Sequence, residues 1–150
     1  MLVEQVMTTD LVTCSVEKSL HEGAERLLKN GVGSVIVRKE NMPVGIVTEA
    51  DVLYAGYVTE RPFTAIPIEK VMSSPLVTIL PQKTLRRATQ RMYEENIKKL
   101  VVVEELDPVG IITTQDIIEH YHDLKAEIHD LVQPYQSRSF DSSISNSDVE

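Results

Sequence analysis

Residues 3–53 of this chain recur at residues 68–118 without an inserted or deleted position. The spacing that separates Gly45 from Gly110 also separates Asp51 from Asp116, and about a third of the paired positions are identical. VEQVM is answered by IEKVM, and PVGIVTEADVL by PVGIITTQDII. Duplication on this scale restricts the fold severely. A unit of this size is too small to enclose much core by itself, but two like units can pack face to face and create paired clefts between them.

Within each copy the apolar period changes from strand to helix and back. Leu20, Ala24, Leu27 and Leu28 recur at helical spacing, as do Leu85, Thr89, Met92 and Tyr93 at the matching positions. Ser19 with Glu22 has the form of a helix-opening capping pair, and Gly31 and Asn96 are residues suited to a left-handed helix stop. The β-branched runs 35–37 and 44–47, matched by 100–103 and 109–112, lie a few polar residues apart and read as hairpins. A second helix opens at Thr48 or Thr113. The expected unit is strand, helix, strand, strand, helix, in a mixed α/β (α+β) fold. Repeat one is expected over residues 1–57, with Gly56 closing its last helix. Residues 58–67, with Pro62 and Pro67, form a linker. Repeat two covers 68–133 and carries an extended final helix, and the serine-rich segment 134–150 reads as a disordered tail.

Composition narrows the function. The net charge of −8 argues against indiscriminate attraction to nucleic acid or anionic lipid, so any bound anion needs a local basic site. No apolar run reaches the ~20 residues of a membrane span, and the N-terminus has no basic-then-apolar leader. The single cysteine, Cys14, permits no internal disulfide and reads as a small core hydrophobe. A soluble, cytoplasmic protein is expected.

The repeated GI[VI]TxxD segment carries the chemistry. It places a glycine in a strand, followed by a hydroxyl and a carboxylate at the first turn of a helix: Thr48 and Asp51 in one copy, Thr113 and Asp116 in the other. The free N–H groups and positive dipole end of that turn suit a phosphate, to which the threonine hydroxyl adds a donor. The carboxylate three residues on can accept the hydroxyls of a ribose. Thr-x-x-Asp is equally a helix capping box, and both readings stand at this level.

With both copies in view, the pattern resembles the CBS domain, and two copies in tandem resemble the CBS pair or Bateman module of the stand-alone type. The resemblance covers about residues 2–133. It implies pseudo-two-fold packing of the repeats and a regulatory role without catalysis. The implied ligand is an adenosyl compound bound between the halves: AMP, ADP, ATP or S-adenosylmethionine. It assigns Thr48 and Thr113 to phosphate, and Asp51 and Asp116 to ribose. Val12, Thr13, Val77 and Thr78 fall in the region that meets adenine. Gly33-Ser34 of the first repeat stands opposite Lys98-Lys99 of the second, where related modules often carry a basic pair. The lysines are therefore assigned to phosphate and the small pair to the space beside ribose or base, which makes the two clefts unequal. The resemblance also implies a homodimer formed through helical faces, and a regulated partner protein.

Other signals are discounted. Arg91 with Glu95 reads as a helix-surface pair, beside Arg86 and Arg87. His120 and His122 point apart on a helix, and no metal site is expected. Tyr54, Tyr57 and Tyr121 read as packing residues. Ile117, Tyr121, Leu124, Ile128 and Leu131 form an apolar stripe that suits either the chain's own sheet or a dimer contact. The competing function is a structural dimerisation adaptor in which the Thr-Asp pairs only cap helices; nucleic-acid binding is a minor option.

Overall fold

The computed structural model describes residues 1–139, with side chains through His129 apart from that of Glu127. In the first repeat β1 (Thr13–Ser15), α1 (Leu20–Asn30), β2 (Ser34–Lys39), β3 (Met42–Thr48) and α2 (Glu49–Thr59) follow one another. The second repeat gives β4 (Thr78–Ile79), α3 (Leu85–Glu95), β5 (Lys99–Glu104), β6 (Asp107–Thr113) and α4 (Thr114–Ser139) in the same order. Each repeat builds a three-stranded sheet, β1-β2-β3 or β4-β5-β6. The first pair of strands in each sheet is parallel and the second antiparallel.

The central strands explain the layering. In β2, Val35 and Val37 face the helices of their own repeat, whereas Ile36 between them points the other way, and all three are fully buried. Ile36 meets Val101 and Ile111 of the second repeat in a small core between the sheets. A strand covered on both faces needs such an uninterrupted apolar run. Each fully buried Val or Ile side chain stabilises the fold by roughly 1.5–3 kcal/mol. Both hairpins turn through a glutamate at positive φ, Glu40 and Glu105, and both carry an irregularity at the same place, Val37/Arg38 and Val102/Val103.

The repeats are interlocked. Val3 belongs to the core of the second repeat, packed with Ile79, Ala88, Met92 and Leu100, while Ile68 lies in the core of the first with Leu20, Leu27 and Val35. The backbone follows the same exchange. The Val3 N–H donates to the Lys83 carbonyl at 2.8 Å, and the Ile68 N–H to the Lys18 carbonyl at 3.0 Å. The opening segment of each copy therefore completes the other copy's core.

Several local expectations are corrected. Ser19 precedes α1 but its side chain makes no capping bond, and the Glu22 carboxylate is held instead by Arg26 at 3.2 Å. Gly31 and Asn96 do end their helices in the left-handed region. Gly56 does not end α2. The helix runs on to Thr59, and the Phe63 ring packs 2.9 Å from where a Gly56 Cβ would stand. Helix α4 continues past 133 through Pro134 to Ser139, and residues 140–150 of the expected tail lie outside the described residues. Arg87 pairs with Glu94 at 3.9 Å, in place of an Arg91–Glu95 pair. Tyr54, Tyr57 and Tyr121 project into solvent rather than packing within the chain. In the stripe on α4, Ile117 packs on the second core, whereas Tyr121, Leu124 and Ile128 are exposed and the Leu131 side chain lies outside the described residues. Cys14 is buried, and that burial pushes its thiol pKa up.

Candidate functional site

Strand β3 delivers Thr48 to the N-terminus of α2, and there the capping box is fully formed. The Asp51 N–H donates to Thr48 Oγ1 at 3.2 Å, and the Thr48 N–H donates to Asp51 Oδ2 at 2.8 Å. Thr113 and Asp116 repeat the arrangement at α4, with distances of 3.0 Å for both bonds. Capping leaves chemistry over. A threonine hydroxyl that accepts one bond still has its own hydrogen to donate, and a carboxylate bonded through one oxygen keeps the other. At Asp116 that second oxygen is engaged, because Thr8 Oγ1 donates to Oδ1 at 3.4 Å. Among the described residues no such bond is made to Asp51 Oδ1, although Ser73, the counterpart of Thr8, stands nearby in the same cleft.

The glycine of the repeated motif is filled by protein. A methyl group on Gly45 would stand 2.6 Å from Met72 Sδ and 3.0 Å from the Ser73 carbonyl oxygen, and Gly110 meets Met7 and Thr8 in the same way. Close approach is indeed why glycine sits in these strands, but the approaching group is the first segment of the other repeat.

A cleft of about 610 Å³ opens beside the first capping box. One wall is Thr48, Glu49, Ala50 and Asp51 with Ile46 and Gly33, all from repeat one; the other is residues 73–77, 96–99 and Val101 of repeat two. Among the residues singled out in the sequence, the cleft thus brings together Gly33, Thr48, Asp51, Val77, Lys98 and Lys99. It does not include Val12, Thr13, Ser34, Thr78, Thr113 or Asp116. Val12 packs on the first core, and Thr13 and Thr78 pair with Ile36 and Val101 inside the sheets. Ser34 is buried opposite Thr48 in the hairpin register.

Gly33-Ser34 and Lys98-Lys99 hold matching positions in the two repeats, yet Gly33 and the lysines do not line separate clefts. Instead Lys99 Nζ reaches across from repeat two and donates to the Gly33 carbonyl at 3.3 Å, which the Glu49 N–H also approaches at 3.3 Å. Lys98 is exposed and Lys99 half-buried, and neither forms an ion pair among the described residues. Glu49, Leu76 and Ile97 were not singled out from the sequence, and Asn96 was read only as a helix stop. Glu49 had a signal, as a charged side chain in the first turn of the motif helix. The others are placed only by the way repeat two leans on repeat one. Among the described residues no group of three His, Cys, Asp or Glu side chains could hold a metal ion, and no helix is long and apolar enough to cross a membrane.

The family model for the CBS domain matches this chain twice, at residues 3–57 and 68–123. The chain belongs to the CBS domain family. The two sheets and four α-helices of the described residues match the fold of solved CBS domain pairs. The CBS domain pair of protein MJ0100, solved with 5'-methylthioadenosine and S-adenosyl-L-methionine, is 22% identical with a TM-score of 0.72, covering 82% of this chain and 97% of that one. The CBS domain protein PAE2072 from Pyrobaculum aerophilum, complexed with AMP, is 24% identical with a TM-score of 0.69 over 77% of this chain and 89% of that one. Among curated relatives, the uncharacterized protein MJ1404 of Methanocaldococcus jannaschii is 28% identical over 88% of this chain, which spans 36% of that protein's length.

Proposed function

We propose that this CBS domain pair is a ligand-sensing regulatory module that takes an adenosine compound into the cleft beside Thr48. The observation that carries the reading is a convergence. One cleft joins a hydroxyl with a hydrogen to donate, a carboxylate with an open oxygen and two lysines from the opposite repeat. Its volume lies within the ~300–1,000 Å³ range of small-molecule sites. A phosphate seats against the N-terminus of α2, on the Thr48 hydroxyl and within reach of Lys98 and Lys99. The open oxygen of Asp51 accepts a ribose hydroxyl, and Val77 with Ile97 offers apolar surface for the base. The adenosyl ligands of MJ0100 and PAE2072 support this class, and AMP, ADP, ATP and S-adenosylmethionine are the candidates.

No catalysis is assigned. The cleft contains no nucleophile paired with a base, and the chemistry it offers is binding. Its walls come from different repeats, so a ligand bridges them and favours one relative orientation, which is the signal. A partner protein receives that signal. Homodimerisation is favoured by a second observation: exposed apolar side chains recur at matched positions of the two repeats, Leu28 with Tyr93 and Leu53 with Ile118. A cytoplasmic setting fits both a nucleotide ligand and the reduced, buried Cys14.

A thermal-shift panel of AMP, ADP, ATP and S-adenosylmethionine tests the ligand class. Ligand at one-hundred-fold above its dissociation constant adds about 2.7 kcal/mol, which raises the Tm of a domain this size by roughly 5–10 °C. No shift with any of them favours the structural adaptor.

A further inference from the structure

We infer that Glu49 is a charge filter that disfavours ligands bearing more than one phosphate in the cleft. The inference rests on the function proposed above and deepens it. Glu49 is the first residue of α2, next to Thr48, and its carboxylate turns toward Gly33. A methyl group on Gly33 would stand 3.6 Å from Glu49 Oε1 and 3.3 Å from Lys99 Nζ. The carboxylate and the ammonium therefore converge on one glycine from opposite repeats, and Lys99 is fixed there by its bond to the Gly33 carbonyl. Both groups line the cleft, with Lys98 and Asp51.

These four side chains cancel in formal charge, so the cleft has no surplus of positive charge with which to hold a polyphosphate. An α-phosphate on the Thr48 hydroxyl is met by the helix N-terminus and two lysines. Each further phosphate adds negative charge in the space beside Glu49, where repulsion offsets what the lysines contribute. Specificity of this kind comes from a built-in repulsive group as much as from an attractive one. The second repeat has no such acid, since Thr114 occupies the position that matches Glu49.

The test is isothermal titration of the full chain with AMP and with ATP, in EDTA so that no bound magnesium cancels the phosphate charge. The natural chain is expected to bind AMP at least about tenfold more tightly than ATP. Glu49→Gln keeps the size and exposure of the side chain and removes its charge. It is expected to bring the two affinities within about threefold, mainly by strengthening ATP binding. An unchanged AMP-to-ATP ratio in the variant, or equal affinities in the natural chain, overturns the filter while leaving the adenosine reading intact. If the natural chain binds neither nucleotide, the filter falls together with the function on which it rests.

Discussion

Thr48 and Asp51 cap α2 with some of their polar atoms and leave others open, and this separates the two carboxylates of the repeated motif. Asp51 caps α2 through Oδ2 and leaves Oδ1 without a hydrogen bond among the described residues, whereas Asp116 caps α4 and also takes the Thr8 hydroxyl. Asp51→Asn is therefore expected to weaken adenosine-ligand binding by about tenfold or more, the worth of a charge-assisted hydrogen bond, while Asp116→Asn changes it little. Titration of both variants with AMP checks the difference. Stability should fall by only about 1 kcal/mol in each, the ordinary cost of a weakened cap. These residues were legible in the sequence because capping and nucleotide binding demand the same hydroxyl-carboxylate spacing. Glu49 was passed over because the positions inside Thr-x-x-Asp look like spacers until Gly33 and Lys99 are seen to converge on it.

Strand, helix, strand, strand, helix was readable in both copies because the helical stripes and hairpin runs are each written twice, although β1 and β4 are too short to show a period of their own. The exchange of opening segments was not readable. Val3 and Ile68 look like the first core residues of their own repeats, and only the packing shows that each belongs to the other's core. Gly45 illustrates the consequence. Its missing side chain admits Met72 from the other repeat, so Gly45→Ala should overpack the junction and destabilise the fold by about 1–3 kcal/mol, read from urea unfolding. Adding Met72→Ala to Gly45→Ala should lower the cost of the glycine change below its value in the natural background. A cost that is the same in both backgrounds would show that Met72 is not what the glycine accommodates. The cross-repeat position of Lys98 and Lys99 was hidden for the same reason, since alignment matches them to Gly33-Ser34 while Lys99 reaches across to touch Gly33 itself.

Over the whole molecule, the two sheets meet through Ile36, Val101 and Ile111, and the helices lie outside. Their outer faces carry Leu28, Leu53, Tyr57, Tyr93 and Ile118, each more than half exposed, a large apolar surface for a chain of net charge −8. Leu53→Asp is expected to turn a homodimer into a monomer without unfolding it, as measured by light scattering coupled to size exclusion, because the side chain contributes nothing to either core. A monomeric natural chain would rule the dimer out. In the proposed function an adenosine ligand lies between the repeats. Backbone amide resonances followed during an AMP titration read out that placement. A ligand bridging the repeats shifts resonances at residues 48–51 and 97–99, from both sides of the cleft, and leaves residues 113–116 little changed. Shifts confined to one repeat or to the outer helical faces, or no shifts at millimolar ligand, would contradict that placement.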